Sequence, residues 1–206
     1  MRWYFDFISP FAYLAWPRVR ALLRERPVEL RPILLAGLLE RHGHKGPAEI
    51  EGKRLFTYRH ALWRARRAGL PMRFPPGHPF NPLAALRLCL ALETRPDVVQ
   101  AIFDWIWAEG RAGDSAEALA PLAARLGIAD VAAAITAPAV KQALRDNFEA
   151  AVGEGVFGVP TLVVNGEPFW GEDAMDFALE VLRDPELLQE PEFRRLAGLP
   201  VAQGRS

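Results

Sequence analysis

Strand-type sequence occurs only at the two ends of this 206-residue chain, and a long helix-type block separates them. Residues 2–8 are an apolar, aromatic run that reads as a buried strand. Val28-Glu29-Leu30-Arg31-Pro32 alternates apolar and charged side chains, as a short strand does. Strand character returns only at Thr161-Leu162-Val163-Val164. Asn165-Gly166 then signals a two-residue hairpin, with a return strand over Glu167 to Trp170. Between them, helical periodicity marks 34–41, 52–68, 82–93, 96–109, 115–126 and 137–152. Further helices are expected at 10–25, where Pro27 stops the run, and at 172–183.

The order is therefore β-α-β, a helical block, then α-β-β-α. Four strands from the two ends share one sheet only if the block is an insertion between them. The expected organisation is a sheet domain built from 1–33 and 152–184, an inserted helical subdomain over 34–151, and a tail over 185–206. That tail holds a short helix within 185–196 and a frayed end over Val201 to Ser206.

Composition removes several function classes. Lys+Arg and Asp+Glu each number 25, so there is no global basic field for nucleic acid. No apolar run reaches the length of a membrane span, and the start of the chain lacks the basic-then-apolar pattern of a secretory signal. Cys89 is the sole cysteine, which forbids an internal disulfide and fits a reducing cytoplasm. Its helical, apolar setting reads as a buried, inert thiol. His42 and His44 form a His-x-His pair without an acidic or cysteine neighbour, so no metal site is expected. Trp105 and Trp107 read as core and interface residues, and Arg64, Arg66 and Arg67 as a solvated helix face.

Three local patterns carry chemistry. In Phe7-Ile8-Ser9-Pro10-Phe11, an apolar run ends in Ser-Pro just before a helix, which puts Ser9 at the N-cap and Pro10 at the first helical position. A hydroxyl there faces unpaired N–H groups and the positive end of the helix dipole, so it serves as a cap and is placed to help hold an anion. In Phe157-Gly158-Val159-Pro160-Thr161, a proline enters the hairpin directly after Gly-Val. It is either an ordinary edge-strand proline or a constrained, cis-type turn that leaves the Val159 N–H and C=O for a peptide-like ligand. Gly171-Glu172-Asp173 opens the last helix, with its carboxylates either complementing the helix dipole or meeting a ligand ammonium group. Asn81 either caps the helix that begins at Pro82 or contacts substrate.

Tyr4-Phe5-Asp6-Phe7-Ile8-Ser9-Pro10-Phe11-Ala12-Tyr13-Leu14-Ala15 resembles the N-terminal signature of the 2-hydroxychromene-2-carboxylate isomerases, relatives of kappa-class glutathione transferases. Gly155 to Thr161 and Phe169-Trp170-Gly171-Glu172-Asp173 resemble that family's C-terminal motifs. Gly69-Leu70-Pro71, Phe80-Asn81-Pro82-Leu83 and Arg87 resemble its middle. The likeness spans roughly residues 3 to 183.

The resemblance implies an α/β, thioredoxin-like four-stranded sheet with a large inserted all-helical subdomain. It implies a homodimer that binds glutathione and acts on a small unsaturated aromatic or keto acid. Ser9 would donate to the glutathione sulfur, with Phe11 beside it. Val159 and Pro160 would hold the cysteinyl backbone, Glu172 and Asp173 the γ-glutamyl end, and Lys53 a carboxylate. The thiolate would add reversibly to a conjugated double bond; that bond, single in the adduct, would rotate, and expulsion of the thiolate would restore the double bond. His44, Phe56 and Asn81 would face the substrate. His44, Phe56 and His60 depart from the family's usual Asn, Tyr and Asp, and so bear on which substrate is taken. In thioredoxin-like redox proteins the same turn carries Cys-x-x-Cys. Here Ser9-Pro10-Phe11-Ala12 excludes dithiol exchange and leaves a borrowed thiol. The competing readings are a kappa-like glutathione transferase and a non-redox binding module of the same fold.

Overall fold

The structure, a computed structural model, describes residues 1–200; the expected frayed end, Val201 to Ser206, lies outside the described residues. Four strands form one mixed sheet in the order β2-β1-β3-β4. They are β1 (Arg2–Phe5), β2 (Glu29–Pro32), β3 (Thr161–Val164) and β4 (Glu167–Trp170). The helix α1 (Pro10–Glu25) carries the chain from β1 to its parallel neighbour β2, with Trp3 opposite Leu30. β3 then pairs antiparallel with β1, Tyr4 opposite Thr161, and β4 returns beside β3. Asn165 and Gly166 both take positive φ, as a tight hairpin requires.

The helical block comprises α2 (Leu35–Arg41), α3 (Glu51–Arg67), α4 (Leu83–Ala91), α5 (Pro96–Phe103), α6 (Ala116–Arg125), α7 (Val131–Thr136) and α8 (Pro138–Gly153). α9 (Met175–Arg183) and α10 (Pro191–Leu196) follow the sheet. The fold is thus the four-stranded sheet with a helical insertion expected from the order of elements.

The period of two along β1 divides the core. Trp3 and Phe5 stack at 4.4 Å and join Trp16 of α1 and Phe103 of α5 on one face. Tyr4 points to the other face, with Ile33, Leu38, Ala151, Val156 and Val163. Each large side chain there is fully buried, which contributes about 1.5–3 kcal/mol apiece against conformational entropy.

Several boundaries shift. β1 ends at Phe5 rather than residue 8, because Asp6 to Ser9 fold into a turn closed by the Ser9 N–H donating to the Asp6 carbonyl at 3.1 Å. The helix expected over 96–109 gives way at Asp104 to a wide π-type turn, in which the Glu109 N–H donates to the Asp104 carbonyl. α7 was not anticipated: Asp130 caps it through its side chain onto Ala133, and it is only six residues long. The helix expected over 172–183, α9, starts at Met175, because Gly171 at φ +106 turns the chain first.

Candidate functional site

The sheet register brings two of the sequence motifs to one end of the central strands. β1 ends at Phe5 and β3 begins at Thr161 opposite Tyr4, so the turn leading to Ser9 and the loop ending in Val159-Pro160 emerge at the same end of adjacent strands. Ser9 is the N-cap of α1, with extended backbone (φ −88, ψ 114), and its Oγ accepts from the Ala12 N–H at 3.2 Å. It is 7% exposed. The Ser9 hydroxyl hydrogen has no acceptor among the described residues, and the Phe11 N–H has no acceptor either. Pro10 contributes no N–H, so Phe11 supplies the first free donor of the helix.

Val159 is buried, yet neither its N–H nor its C=O pairs with another group among the described residues. The Val159–Pro160 bond is cis. Around it the loop is fixed: Thr161 Oγ1 donates to the Gly158 carbonyl at 2.8 Å, and the Trp170 indole lies against Gly158. A Cβ on Gly158 would sit 2.5 Å from Trp170 Nε1, so only glycine fits. The Gly171 N–H donates to the Pro160 carbonyl at 2.9 Å, which ties the Gly171-Glu172-Asp173 turn to the same loop. A peptide strand needs a free donor and a free acceptor on one residue, and Val159 offers both. Ser9, Phe11 and Val159 therefore fit a small thiol peptide in chemistry and in donor set.

Glu172 and Asp173 precede α9 rather than occupying its first turn. Asp173 is exposed and folds back over Gly171, while Glu172 pairs with Arg64 of α3. The expectation of a wholly solvated Arg64, Arg66 and Arg67 face is thereby corrected: Arg66 and Arg67 are exposed, but Arg64 bridges to the turn after β4. α3 itself packs on α1 through Phe11, Leu14, Ala61 and Ala65. A cleft of about 330 Å³ opens there, lined by Leu14, Trp63, Arg64, Arg67, Ala68 and Glu172.

The remaining expected residues are spread more widely. Lys53 is exposed near the start of α3. Phe56 is 68% exposed and stacks on His60 at 5.7 Å. His44 is exposed in the loop after α2, 5.9 Å from the His42 ring. Among the described residues no group of three or more His, Cys, Asp or Glu is arranged to hold a metal ion. Asn81 is exposed, and its Oδ1 accepts from the Leu83 N–H at 3.0 Å, so it caps the turn into α4. Cys89 is buried, and burial pushes its thiol far above the ordinary range, so it is inert. A second groove of about 610 Å³ runs along the β2 edge and shares none of these residues.

Sequence reasoning missed the groups that hold the Ser9 turn from behind. Trp107 Nε1 donates to the Phe7 carbonyl at 2.8 Å, and His78 Nε2 donates to the Ile8 carbonyl at 2.9 Å. The other His78 ring nitrogen lies 2.8 Å from the Tyr58 hydroxyl. Burial lowers the His78 pKa, which favours the neutral ring. Asp6 is fully buried; its carboxylate accepts from the Ile8 and Leu35 N–H groups at 3.1 and 2.8 Å. Burial raises its pKa to about 7, against the pull of those backbone donors. These partners lie 29 to 100 residues from the turn, apart from Ile8, so no local pattern announces them.

No helix among the described residues is long and apolar enough to cross a membrane. The family model of the DSBA-like thioredoxin domain matches residues 2–183. A 2-hydroxychromene-2-carboxylate isomerase from Pseudomonas putida is 30% identical over 185 residues, 86% of this chain and 90% of that protein. Glutathione S-transferase kappa 2 from Caenorhabditis elegans is 23% identical over 207 residues, 90% of this chain and 92% of that protein. A solved 2-hydroxychromene-2-carboxylate isomerase superimposes with a TM-score of 0.76 at 25% identity, covering 93% of this chain and 97% of its own. With a Ser9-capped turn, a Val159-Pro160 loop beside it and no redox cysteine pair, the chain belongs to the DSBA-like thioredoxin family, in the group of the 2-hydroxychromene-2-carboxylate isomerases and their kappa-class glutathione transferase relatives.

Proposed function

We propose that the protein is a glutathione-dependent cis-trans isomerase of 2-hydroxychromene-2-carboxylate or a similar unsaturated aromatic keto acid, working in aromatic-compound catabolism. The observation that carries this reading is the pairing of a free Ser9 hydroxyl and Phe11 N–H with the unpartnered Val159 backbone, in a chain whose single cysteine is buried and inert. Bound glutathione supplies the nucleophilic thiol that this chain lacks. Ser9 donates a hydrogen bond toward the sulfur, and the α1 N-terminus favours negative charge there. Val159 pairs with the cysteinyl backbone and Pro160 shapes the loop that presents it. Asp173 and Glu172 hold the γ-glutamyl ammonium, and Lys53 a carboxylate at the other end of the site. His44, Phe56 and Asn81 border the substrate, Phe56 by an exposed ring that an aromatic acid can stack on. The same reading makes the protein a cytoplasmic homodimer, which sedimentation at working concentration tests.

The direct test is a spectrophotometric assay of 2-hydroxychromene-2-carboxylate with and without glutathione. Isomerisation that needs glutathione, and that falls roughly 10²-fold in Ser9→Ala, supports the proposal. No isomerisation with glutathione present overturns it. The kappa-class relative motivates one control. A product of unchanged mass marks an isomerase, and an accumulating glutathione conjugate marks a transferase.

A further inference from the structure

We propose that Tyr58 and His78 are positioning residues of the thiol site, a hydroxyl–imidazole–carbonyl bridge that sets the Ser9 turn against α3. This rests on the glutathione reading above for the identity of the thiol, and it adds two residues that act through the turn. The Tyr58 hydroxyl, from α3, lies 2.7 Å from the His78 carbonyl and 2.8 Å from His78 Nδ1. His78 Nε2 lies 2.9 Å from the Ile8 carbonyl. A carbonyl only accepts, so Nε2 carries the hydrogen there, and on the neutral ring Nδ1 is left to accept. The Tyr58 hydrogen therefore faces two acceptors of one residue, its ring and its backbone. Burial raises the Tyr58 pKa, which keeps the phenol protonated.

The far end of the bridge fixes the peptide unit that precedes Ser9. That unit is held at both ends: its carbonyl, of Ile8, by His78, and its N–H, of Ser9, by the Asp6 carbonyl at 3.1 Å. Rotating the unit breaks both bonds, so its plane is set, and with it the frame from which Ser9 presents its Oγ. Without His78 only the Asp6 end remains. The imidazole sits in an aromatic cluster: Tyr58, Phe74, Phe80 and Trp107 lie at ring-centroid distances of 5.1, 6.0, 6.2 and 5.6 Å. That packing holds the ring in place, and its polar partners, Tyr58 and Ile8, set its rotation.

The near end of the bridge makes α3 part of the turn's support. His78 lies in the irregular segment between α3 and α4, so no helix or strand ladder fixes its backbone. Tyr58 supplies that anchor from a regular element. Residues two apart on a helix point about 200° from each other, so Tyr58 faces away from both Phe56 and His60. α3 thus presents its aromatic row, Phe56, His60 and Trp63, on one side and Tyr58 on the other. Trp107 and Asp6 also support the turn, but their bonds lead to the π-type turn after α5 and to the start of α2. A ligand stacked on the α3 row and a sulfur at Ser9 are thereby held in one frame.

Titration of bound glutathione by ultraviolet thiolate absorbance tests the bridge in wild type, Tyr58→Phe, His78→Phe, the double variant and His78→Gln. His78→Phe keeps a planar ring without its donor. Tyr58→Phe deletes a single oxygen, and keeps the test decisive should His78→Phe fail to fold, which circular dichroism reports. In wild type the bound thiol should titrate below free glutathione. His78→Phe should move it back toward the free value by about 0.5 unit or more, roughly threefold in the thiolate equilibrium. Tyr58→Phe should move it the same way by less. The double variant should match His78→Phe, because the two groups act in series. His78→Gln, which keeps an N–H for Ile8, should restore part of the wild-type value. Wild-type titration in both single variants, whatever their loss of stability, would reduce the pair to packing, overturn the bridge and leave the glutathione reading standing. Additive shifts in the double variant would overturn the link from α3. A wild type that binds no glutathione, or that leaves its thiol titrating like the free one, would overturn the thiol account and the bridge with it.

Discussion

The Ser9 turn and the exposed face of α3 approach each other where the Phe11 ring lies 5.9 Å from His60, but they are built in opposite ways. Every carbonyl from Asp6 to Ser9 is held: Asp6 by the Ser9 N–H, Phe7 by the Trp107 indole, Ile8 by His78, and Ser9 by the first turn of α1. The face of α3 instead presents Phe56, His60 and Trp63 in a stacked row, with Phe56 and Trp63 more than half exposed. It is attached through small residues, Ala61 and Ala65, and through the Arg64–Glu172 pair. A site that must fix one atom to fractions of an ångström gains from the first kind of support. A surface that chooses among ligands can change side chains at little cost to the fold, and the second kind allows that.

The contrast predicts a gradient of effects. Trp107→Ala removes a fully buried indole and the donor to the Phe7 carbonyl, and should cost about 3–5 kcal/mol in urea unfolding. A cost below about 1 kcal/mol would show that the turn does not depend on this backing.

Asp6 tests the same region through pH. Its pKa in the folded protein is raised, to about 7, so the folded state holds a proton that the unfolded state releases near the ordinary carboxylate value. Its contribution to stability is therefore present at low pH and lost as pH rises through about 7. The stability of wild type relative to Asp6→Asn should fall with rising pH over that window, by at most about 1.4 kcal/mol per pH unit. A flat difference from pH 4 to 8, measured by urea titration, would contradict the buried, protonated Asp6.

Ser9→Ala should be smaller in stability terms, about 1 kcal/mol for a lost N-cap, because the backbone bonds of the turn remain. Smallest of all, Phe56→Ala should change stability by less than about 0.5 kcal/mol. If Phe56→Ala unfolds as readily as Trp107→Ala, the contrast between the two regions fails.

The same division explains how much the sequence disclosed. Local rules marked β1 and β3 by apolar runs, β2 by alternation, the hairpin by Asn165-Gly166, and the Ser9 cap by Ser-Pro before an amphipathic run. They also ordered the elements well enough to require an insertion. What they could not mark is long-range support. His78 reaches Ile8 across 70 residues and Trp107 reaches Phe7 across 100, and neither has a periodic or motif signature. Arg64 looked like its solvated neighbours because its partner, Glu172, lies at the far end of the chain. Asp6 was legible only as an interruption of an apolar run. Such a charge inside a strand-like segment is the one signal that could have pointed to a turn. α7 was missed because six residues are too few to establish a helical period.

The central claim is that the Ser9 turn activates a thiol the chain does not own. The most direct measurement is the pH titration of bound glutathione, followed by ultraviolet thiolate absorbance in wild type and Ser9→Ala. Free thiols of this kind titrate near ~8.5. The predicted result is a bound thiol that titrates at least about one unit below free glutathione in wild type and returns toward the free value in Ser9→Ala. A bound thiol that titrates like the free one in wild type would contradict the account.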